Sequence, residues 1–294
     1  MTESAAAALR LEAPGGLEPE AILGSLAAHT LPGAERTSTE ERTHTRLVRG
    51  PRGRRAVTLR FDALGVDLDI STGTGTDTGT GTEDESELLA LGEMVRSWFD
   101  LDADLEAMRE SLSADSLLGP LLAARPSLRV IGTPDRFQTA VTTVLGQQVS
   151  LAAGRTFSGR LIAAYGGDEF DGLRSFPEPA ALVGADAEEL RGAVGLTAAR
   201  ARTVQALAAV WLDAGGAPTR SELLAVPGVG PWTVDYLGVR YGDRDAFTPG
   251  DLVLRKALGG ITAREAEARS EAWRPFRAYA LMHLWTHTAY TKRP

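Results

Sequence analysis

The chain has 294 residues, with 31 Lys and Arg against 39 Asp and Glu, and it contains no cysteine. That length can bury a full core in two or three subdomains, and the missing cysteine excludes disulfides, thiolate zinc sites and cysteine-ligated iron–sulfur clusters. No apolar run approaches the roughly 18 residues of a membrane span, and Met1 to Ala8 lacks the basic region and apolar core of a secretion signal, so an intracellular location is expected.

The formal charge of −8 is unevenly spread. Residues 1–119 hold 11 basic and 22 acidic side chains, a net −11, whereas residues 120–294 hold 20 and 17, a net +3. Any polyanion-binding surface therefore belongs to the second half. So small an excess implies few phosphate contacts, made largely by backbone amides.

Residues 9–31 open with a short apolar strand, LRLEA. They turn at Pro14-Gly15-Gly16 and continue as a helix, EPEAILGSLAAHTL, that Pro32-Gly33 closes. From Thr43 to Ile70 the apolar period changes to two. THTRLVRG, AVTLRFD and GVDLDIS then form three strands joined by short turns, an antiparallel meander with one solvated face. Arg52, Arg54 and Arg55 sit at one of these turns and read as a solvated hairpin tip. Ser71 to Glu87, STGTGTDTGTGTEDESE, has too little apolar surface to bury and reads as a flexible insertion. Helical periodicity resumes from Leu88 to Phe99 and in short pieces from Asp102 to Leu122. Residues 1–88 are thus expected to form an α+β cap, with residues 89–294 a mainly helical region.

Beyond Pro134 the chain is almost wholly helical. Asp135 precedes FQTAVTTVLGQQVSLAAGRTFSGRLIAAYG, one periodic stretch broken at Gly146-Gln147-Gln148 by a turn between helices. Pro179–Ala185, Ala187–Ala193 and Thr197–Ala214 read as three more helices. The implied fold class is α+β: a small antiparallel-sheet cap followed by a two-layer helical bundle with a cleft between the layers.

Residues 219–242 then read as two helices joined by Pro227-Gly228-Val229-Gly230. Thr219 and Glu222 have the spacing of a capping box, Pro231 suits the first turn of the second helix, and Gly242 stops it. Glycine at 228 and 230 lets the backbone turn tightly and approach a ligand. The N–H groups of Gly228, Val229, Gly230, Trp232 and Thr233 are expected to face outward as an anion site at a helix N-terminus. A Gly-Val-Gly turn alone is as often a plain helix connection, so its surroundings decide.

Those surroundings carry a resemblance. LLAVPGVGPWTVDYLGVRYGDRDAFTPGDLVLRK resembles the helix-hairpin-helix, Gly/Pro-rich loop and aspartate of the HhH-GPD superfamily of DNA base-excision glycosylases, and within it the AlkA branch, DNA-3-methyladenine glycosylase II. The likeness extends through RPSLRVIGTPDRFQTAVTTVLGQQVSLAAGRTFSGRLIAAYG from Arg125 and through WRPFRAYALMHLW to Trp285. It covers residues 120–290 well and the first hundred loosely. It implies a monomeric enzyme that flips damaged bases out of double-stranded DNA. Such an enzyme hydrolyses the N-glycosidic bond of alkylated bases such as 3-methyladenine, the first step of base excision repair.

Cutting that bond builds positive charge on the sugar, which calls for an ionised carboxylate beside it. Asp251 follows Pro249-Gly250 and opens the helical run DLVLRKAL, where a helix N-terminus favours the ionised form. Taken alone it is an ordinary N-cap. Nineteen residues after Trp232, however, it stands where this family keeps its catalytic aspartate. An alkylated purine is already cationic and leaves without a proton donor. Trp232 and Tyr236, at i and i+4, share a helix face, and the resemblance brings Trp285 to the same pocket. Aromatic rings there attract an electron-poor base. Leu252 completes the implied base pocket. Leu252 and Ser25 replace aromatic residues of the AlkA type, which implies a more open site.

The resemblance also assigns Gln147 and Gln148 to the wedge that fills the gap left by a flipped base. Gln148 replaces an apolar leucine and reads equally as a helix-capping surface residue. Superfamily members that nick DNA place a Schiff-base lysine where this chain has Trp232. The only lysines are Lys256 and Lys292, so no lyase activity is expected. No cofactor is required. The family's hairpin alkali ion would be held by the carbonyls of Leu224, Val226 and Val229. His283 and His287, without a HExxH context, read as structural. Two other readings stay open. A non-catalytic helix-hairpin-helix DNA-binding protein would need neither the aspartate nor the aromatics, and a glycosylase for deaminated or oxidised bases would need more pocket chemistry.

Overall fold

Alternating apolar residues build a five-stranded antiparallel sheet from β1 (Ala7–Glu12), β2 (Glu35–Ser38), β3 (Thr43–Gly50), β4 (Gly53–Phe61) and β5 (Gly65–Ser71). The strand order is β1-β5-β4-β3-β2. These positions come from a computed structural model that describes residues 7–71 and 81–290. The expected meander is β3–β5. The N-terminal strand adds to one edge by setting Leu9 opposite Leu68 and Leu11 opposite Val66. The other edge, β2, is the polar run ERTS, which sequence periodicity passed over because it pairs through its backbone and has no apolar alternation.

Helices α1 (Pro19–His29) and α2 (Gly81–Trp98) pack with this sheet. Val57, Leu59, Phe61, Val66 and Leu68 meet Leu91, Val95, Trp98 and Phe99 in one core, with the Trp98 and Phe99 rings stacked 4.6 Å apart. Three expectations are corrected here. The segment read as an insertion to Glu87 is already helical from Gly81, and Glu87 is buried with its carboxylate 3.0 Å from Arg55. Acidic residues at a helix start favour the positive end of its dipole, so a polar run that cannot be a core strand can still be a first helical turn. Residues 72–80 of that insertion lie outside the described residues. The cap boundary expected after residue 88 falls inside α2, whose apolar face completes the sheet core. Arg54, expected at a solvated tip, pairs with Glu178 and is largely buried.

The helical region comprises α3 (Leu105–Leu112), α4 (Leu118–Ala124), α5 (Arg136–Gly146) and α6 (Leu151–Tyr165), then a two-residue-per-strand hairpin, β6 (Glu169–Phe170) and β7 (Leu173–Arg174). It continues with α7 (Pro179–Val183), α8 (Ala187–Val194), α9 (Ala198–Ala214), α10 (Arg220–Ala225), α11 (Pro231–Arg240), α12 (Leu252–Ala257), α13 (Ala263–Ser270) and α14 (Arg277–Trp285). Two cores form. In one, Val141, Val144, Leu161, Leu190, Val204 and Leu223 join α5, α6 and α8–α10. In the other, Met108, Leu118, Leu254, Tyr279 and Leu281 join α3, α4, α12 and α14. Helix α11 belongs to both, through Val234 and Leu237 on one side and Val239 on the other. The second helix of the hairpin is therefore the seam between layers, which leaves a further face free to line the cleft. Among the described residues no helix is long and apolar enough to cross a membrane.

Candidate active site

The hairpin is built as the capping residues dictate. Thr219 and Glu222 close a full capping box on α10, and Pro231 is the first residue of α11. Gly228 takes φ +90°, and a Cβ there would lie 2.4 Å from Thr203 Oγ1, so glycine is required twice over. At Gly230, φ is −106° and a Cβ would meet nothing in the protein. What its missing side chain preserves is open surface. From behind, the turn is held by Thr203 of α9, whose hydroxyl donates to Pro227 O at 2.9 Å. Arg220 of α10 pairs with Asp235 of α11 at 2.8 Å.

The anion site is narrower than expected. Val229 N–H donates to Val226 O at 3.0 Å and closes the turn, so it does not face outward. Among the described residues, the N–H groups of Gly228, Gly230, Trp232 and Thr233 have no protein acceptor. The last three stand at the N-terminus of a ten-residue helix, the arrangement that suits a phosphate.

Gln147 and Gln148 part company. Gln147 turns inward: its Nε2 donates to Gly228 O at 3.1 Å and to Thr233 Oγ1 at 3.0 Å, while Arg200 donates to its backbone carbonyl. It is a strut between the α5–α6 turn and the hairpin and not part of a projecting wedge. Gln148 takes the left-handed φ of +55° and is exposed. Leu151, the first residue of α6, is 51% exposed and lines the adjoining cavity, a rim position that sequence reading passed over.

Asp251 is the N-cap of α12. Its Oδ1 accepts from Leu254 N at 2.8 Å and from Trp285 Nε1 at 2.9 Å. Among the described residues, its Oδ2 accepts from no protein group and no salt bridge engages the carboxylate. Trp285 faces Tyr236 at 6.1 Å and 47°, and Tyr236 stacks on Trp232 at 5.5 Å and 11°. A carboxylate and three rings from α11, α12 and α14 thus form one continuous set. Trp232 remains 37% exposed and packs beside Gly250. Leu252, expected in this set, is 75% exposed and does not line the cavity. Val253, the next position around the helix, does. Successive helical residues point about 100° apart, so only one of the pair can face inward.

Trp232 and Tyr236 open onto a cavity of about 560 Å³ between the cap and helices α5, α6 and α11, and Ser25 lines it as the resemblance implies. Its far wall is polar. Arg46 pairs with Glu35 at 2.8 Å with both side chains buried, donates to Gln138 Oε1 at 2.7 Å, and lies over the Trp98 ring. Burial pushes the His44 imidazole down to about 4, and burial likewise lowers His29, so both are neutral near pH 7. This wall escaped sequence reading because its members come from positions 29 to 138, with no local motif to tie them together.

Among the described residues no cluster of three or more His, Cys, Asp and Glu could hold a metal ion. His283 is buried, and among the described residues neither ring nitrogen has a partner. At the hairpin, the Leu224 and Val229 carbonyls accept nothing from the described residues, while that of Val226 accepts from Val229 N–H. Oxygen donors of this kind fit a hard alkali cation.

The chain is 36% identical over 291 residues to a Mycobacterium tuberculosis (strain ATCC 25618 / H37Rv) protein described as probable bifunctional transcriptional activator/DNA repair enzyme AlkA. The match covers 95% of this chain and 56% of that protein, so the chain spans little more than half of that relative. It is 35% identical over 180 residues to DNA-3-methyladenine glycosylase 2 of Escherichia coli (strain K12), a match covering 57% of this chain and 63% of the relative. The fold matches a 3-methyladenine DNA-glycosylase structure from Archaeoglobus fulgidus with a TM-score of 0.76 at 17% identity, over 97% of this chain and all of that one. Residues 8–135 match the AlkA N-terminal domain and residues 141–277 the HhH-GPD superfamily base excision DNA repair protein model. With the hairpin, the aspartate and the sheet cap all in place within those two matches, the chain belongs to the HhH-GPD superfamily of base excision DNA repair proteins.

Proposed function

We propose that the protein is a monofunctional DNA glycosylase that hydrolyses the N-glycosidic bond of alkylated purines such as 3-methyladenine in double-stranded DNA, acting as a monomer. The observation that carries this reading is the state of Asp251. One oxygen is fixed by an indole N–H and a helix amide, and the other is left unbonded beside three aromatic rings. A carboxylate held in this way is preorganised to stabilise positive charge at C1′. The departing cationic purine takes the electron pair of the C1′–N bond and becomes neutral. A water oxygen then bonds to C1′ and loses its proton to solvent.

The hairpin amides of Gly230, Trp232 and Thr233 hold a backbone phosphate, and the carbonyls of Leu224, Val226 and Val229 would hold an alkali ion, which would supply positive field there. Gln148 and Leu151 stand at the rim to fill the space vacated by the flipped nucleotide. Trp232 occupies the position of the lyase lysine, so the product is an intact abasic strand. The test is base release from methylated duplex DNA by the wild type and by Asp251→Asn, with DNA binding measured in parallel. Loss of release with binding retained supports the enzyme. Unchanged release by Asp251→Asn, or no release by the wild type, sinks it, the latter leaving a DNA-binding module. Borohydride trapping should give no covalent adduct.

A further inference from the structure

Helix α11 carries a third residue on its cavity face. Trp232, Tyr236 and Arg240 stand at i, i+4 and i+8, and all three line the 560 Å³ cavity. At 1.5 Å rise per residue, Arg240 lies about 6 Å beyond Tyr236 along the helix. Among the described residues no carboxylate pairs with Arg240, and its buried Nε–H has no acceptor. Such a group costs free energy unless something meets it.

The charge around it is one-sided. The lining holds Arg46, Arg155 and Arg240 against a single acid, Glu35, and Glu35 is already committed to Arg46 in a buried pair. Arg155 is engaged only by a carbonyl, that of Thr30. With His29 and His44 neutral, the inner chamber carries two uncompensated positive charges. A cationic base suits the rim at Trp232 and Tyr236, which Trp285 joins to the Asp251 carboxylate just outside the cavity lining, and is repelled further in. The cavity volume falls within the roughly 300–1,000 Å³ of pockets that enclose drug-sized ligands, more than a methylated purine needs.

We propose that the inner chamber is a subsite for an anionic substituent on the flipped base: the purine stacks at Trp232 and Tyr236, and a carboxylate on its N-alkyl arm pairs with Arg240. The substrate class is the carboxyalkylated purines, in which a ring cation at the rim and a carboxylate in the chamber match the two ends of the site. The guanidinium offers parallel N–H donors to two carboxylate oxygens. This subsite rests on the glycosylase reading above.

The experiment uses the full chain and two duplex DNA samples, one alkylated with dimethyl sulfate and one with iodoacetate. It measures release of 7-methylguanine and 7-(carboxymethyl)guanine and reads their rate ratio, which a general loss of fold or catalysis does not move. The wild type is expected to release both. Arg240→Met should lower the ratio of carboxymethyl to methyl release about tenfold, and Arg240→Lys should restore most of it. A ratio within twofold of wild type in Arg240→Met, or release of the methyl base alone by the wild type, overturns the subsite. Failure to release either base instead refutes the glycosylase reading. The subsite is then judged by quenching of tryptophan fluorescence by the free bases. Tighter binding of the carboxymethyl base by the wild type but not by Arg240→Met supports it, and equal binding overturns it.

Discussion

The rim and the inner wall of the same cavity are made in opposite ways. Trp232 and Tyr236 on the rim and Asp251 beside it lie within twenty residues of one another, with Trp285, Gln148 and Leu151 supplied from a distance. The inner wall draws on α1, β2, β3, α5, α6 and α11, and its central contact joins Arg46 to Gln138, 92 residues away. The rim is ordered by local devices, a capping box, a tight glycine turn and an N-cap. Packing of the sheet cap onto the bundle orders the wall. Chemistry at C1′ depends on the first, and the choice of what rides on the base depends on the second.

The sharpest way to break this contrast is to cut the wall. Arg46→Met leaves Glu35 buried without its partner and should cost about 3–5 kcal/mol of stability, read as a fall in the midpoint of urea unfolding. A change under 1 kcal/mol would mean the wall is not a structural unit. The wall should also respond to acid. His44 titrates near 4 when folded and near 6.5 when unfolded, so the unfolded state binds the extra proton between these values. Stability is therefore fully present above pH 6.5 and declines toward pH 4, by on the order of 3 kcal/mol for this residue. His283, also held near 4, adds to the same slope. Melting curves from pH 7 to 4 on the wild type and His44→Asn check it, and the variant should show a shallower decline.

At the rim the effects should fall on rate. Asp251→Asn should slow base release about 100-fold or more while leaving the duplex dissociation constant within a factor of a few. The mildest change is Gln147→Ala, which removes two hydrogen bonds between the α5–α6 turn and the hairpin. It should weaken duplex binding about five- to tenfold without altering which lesions are preferred. A change in lesion preference instead would mean that the hairpin strut and the inner wall are coupled.

Much of this molecule was legible in one dimension. Thr219 and Glu222 announced their helix, Pro231 and Gly242 bounded the next, and the spacing from Trp232 to Asp251 located the carboxylate. What failed failed for identifiable reasons. Val229 N–H was expected to be free, but the turn consumes it. Gln147 was grouped with Gln148 by adjacency, although the left-handed turn at Gln148 points neighbouring side chains in different directions. Leu252 was expected inside, yet the helix phase gives that place to Val253. Arg240 shares the spacing of Trp232 and Tyr236 and was visible in principle, but an arginine at a helix end reads as a solvated surface charge until the cavity is seen.

The sequence by itself determined the hairpin, the caps of its helices and the aspartate that follows it, because each depends on contacts within a few residues. Only the tertiary structure decided that α11 is the seam between two cores, that the acidic cap contributes a buried arginine–glutamate wall, and that one arginine faces a chamber with no acid to meet it. Those features are sums over distant side chains, and charge balance inside a cavity is set by which surfaces are brought together.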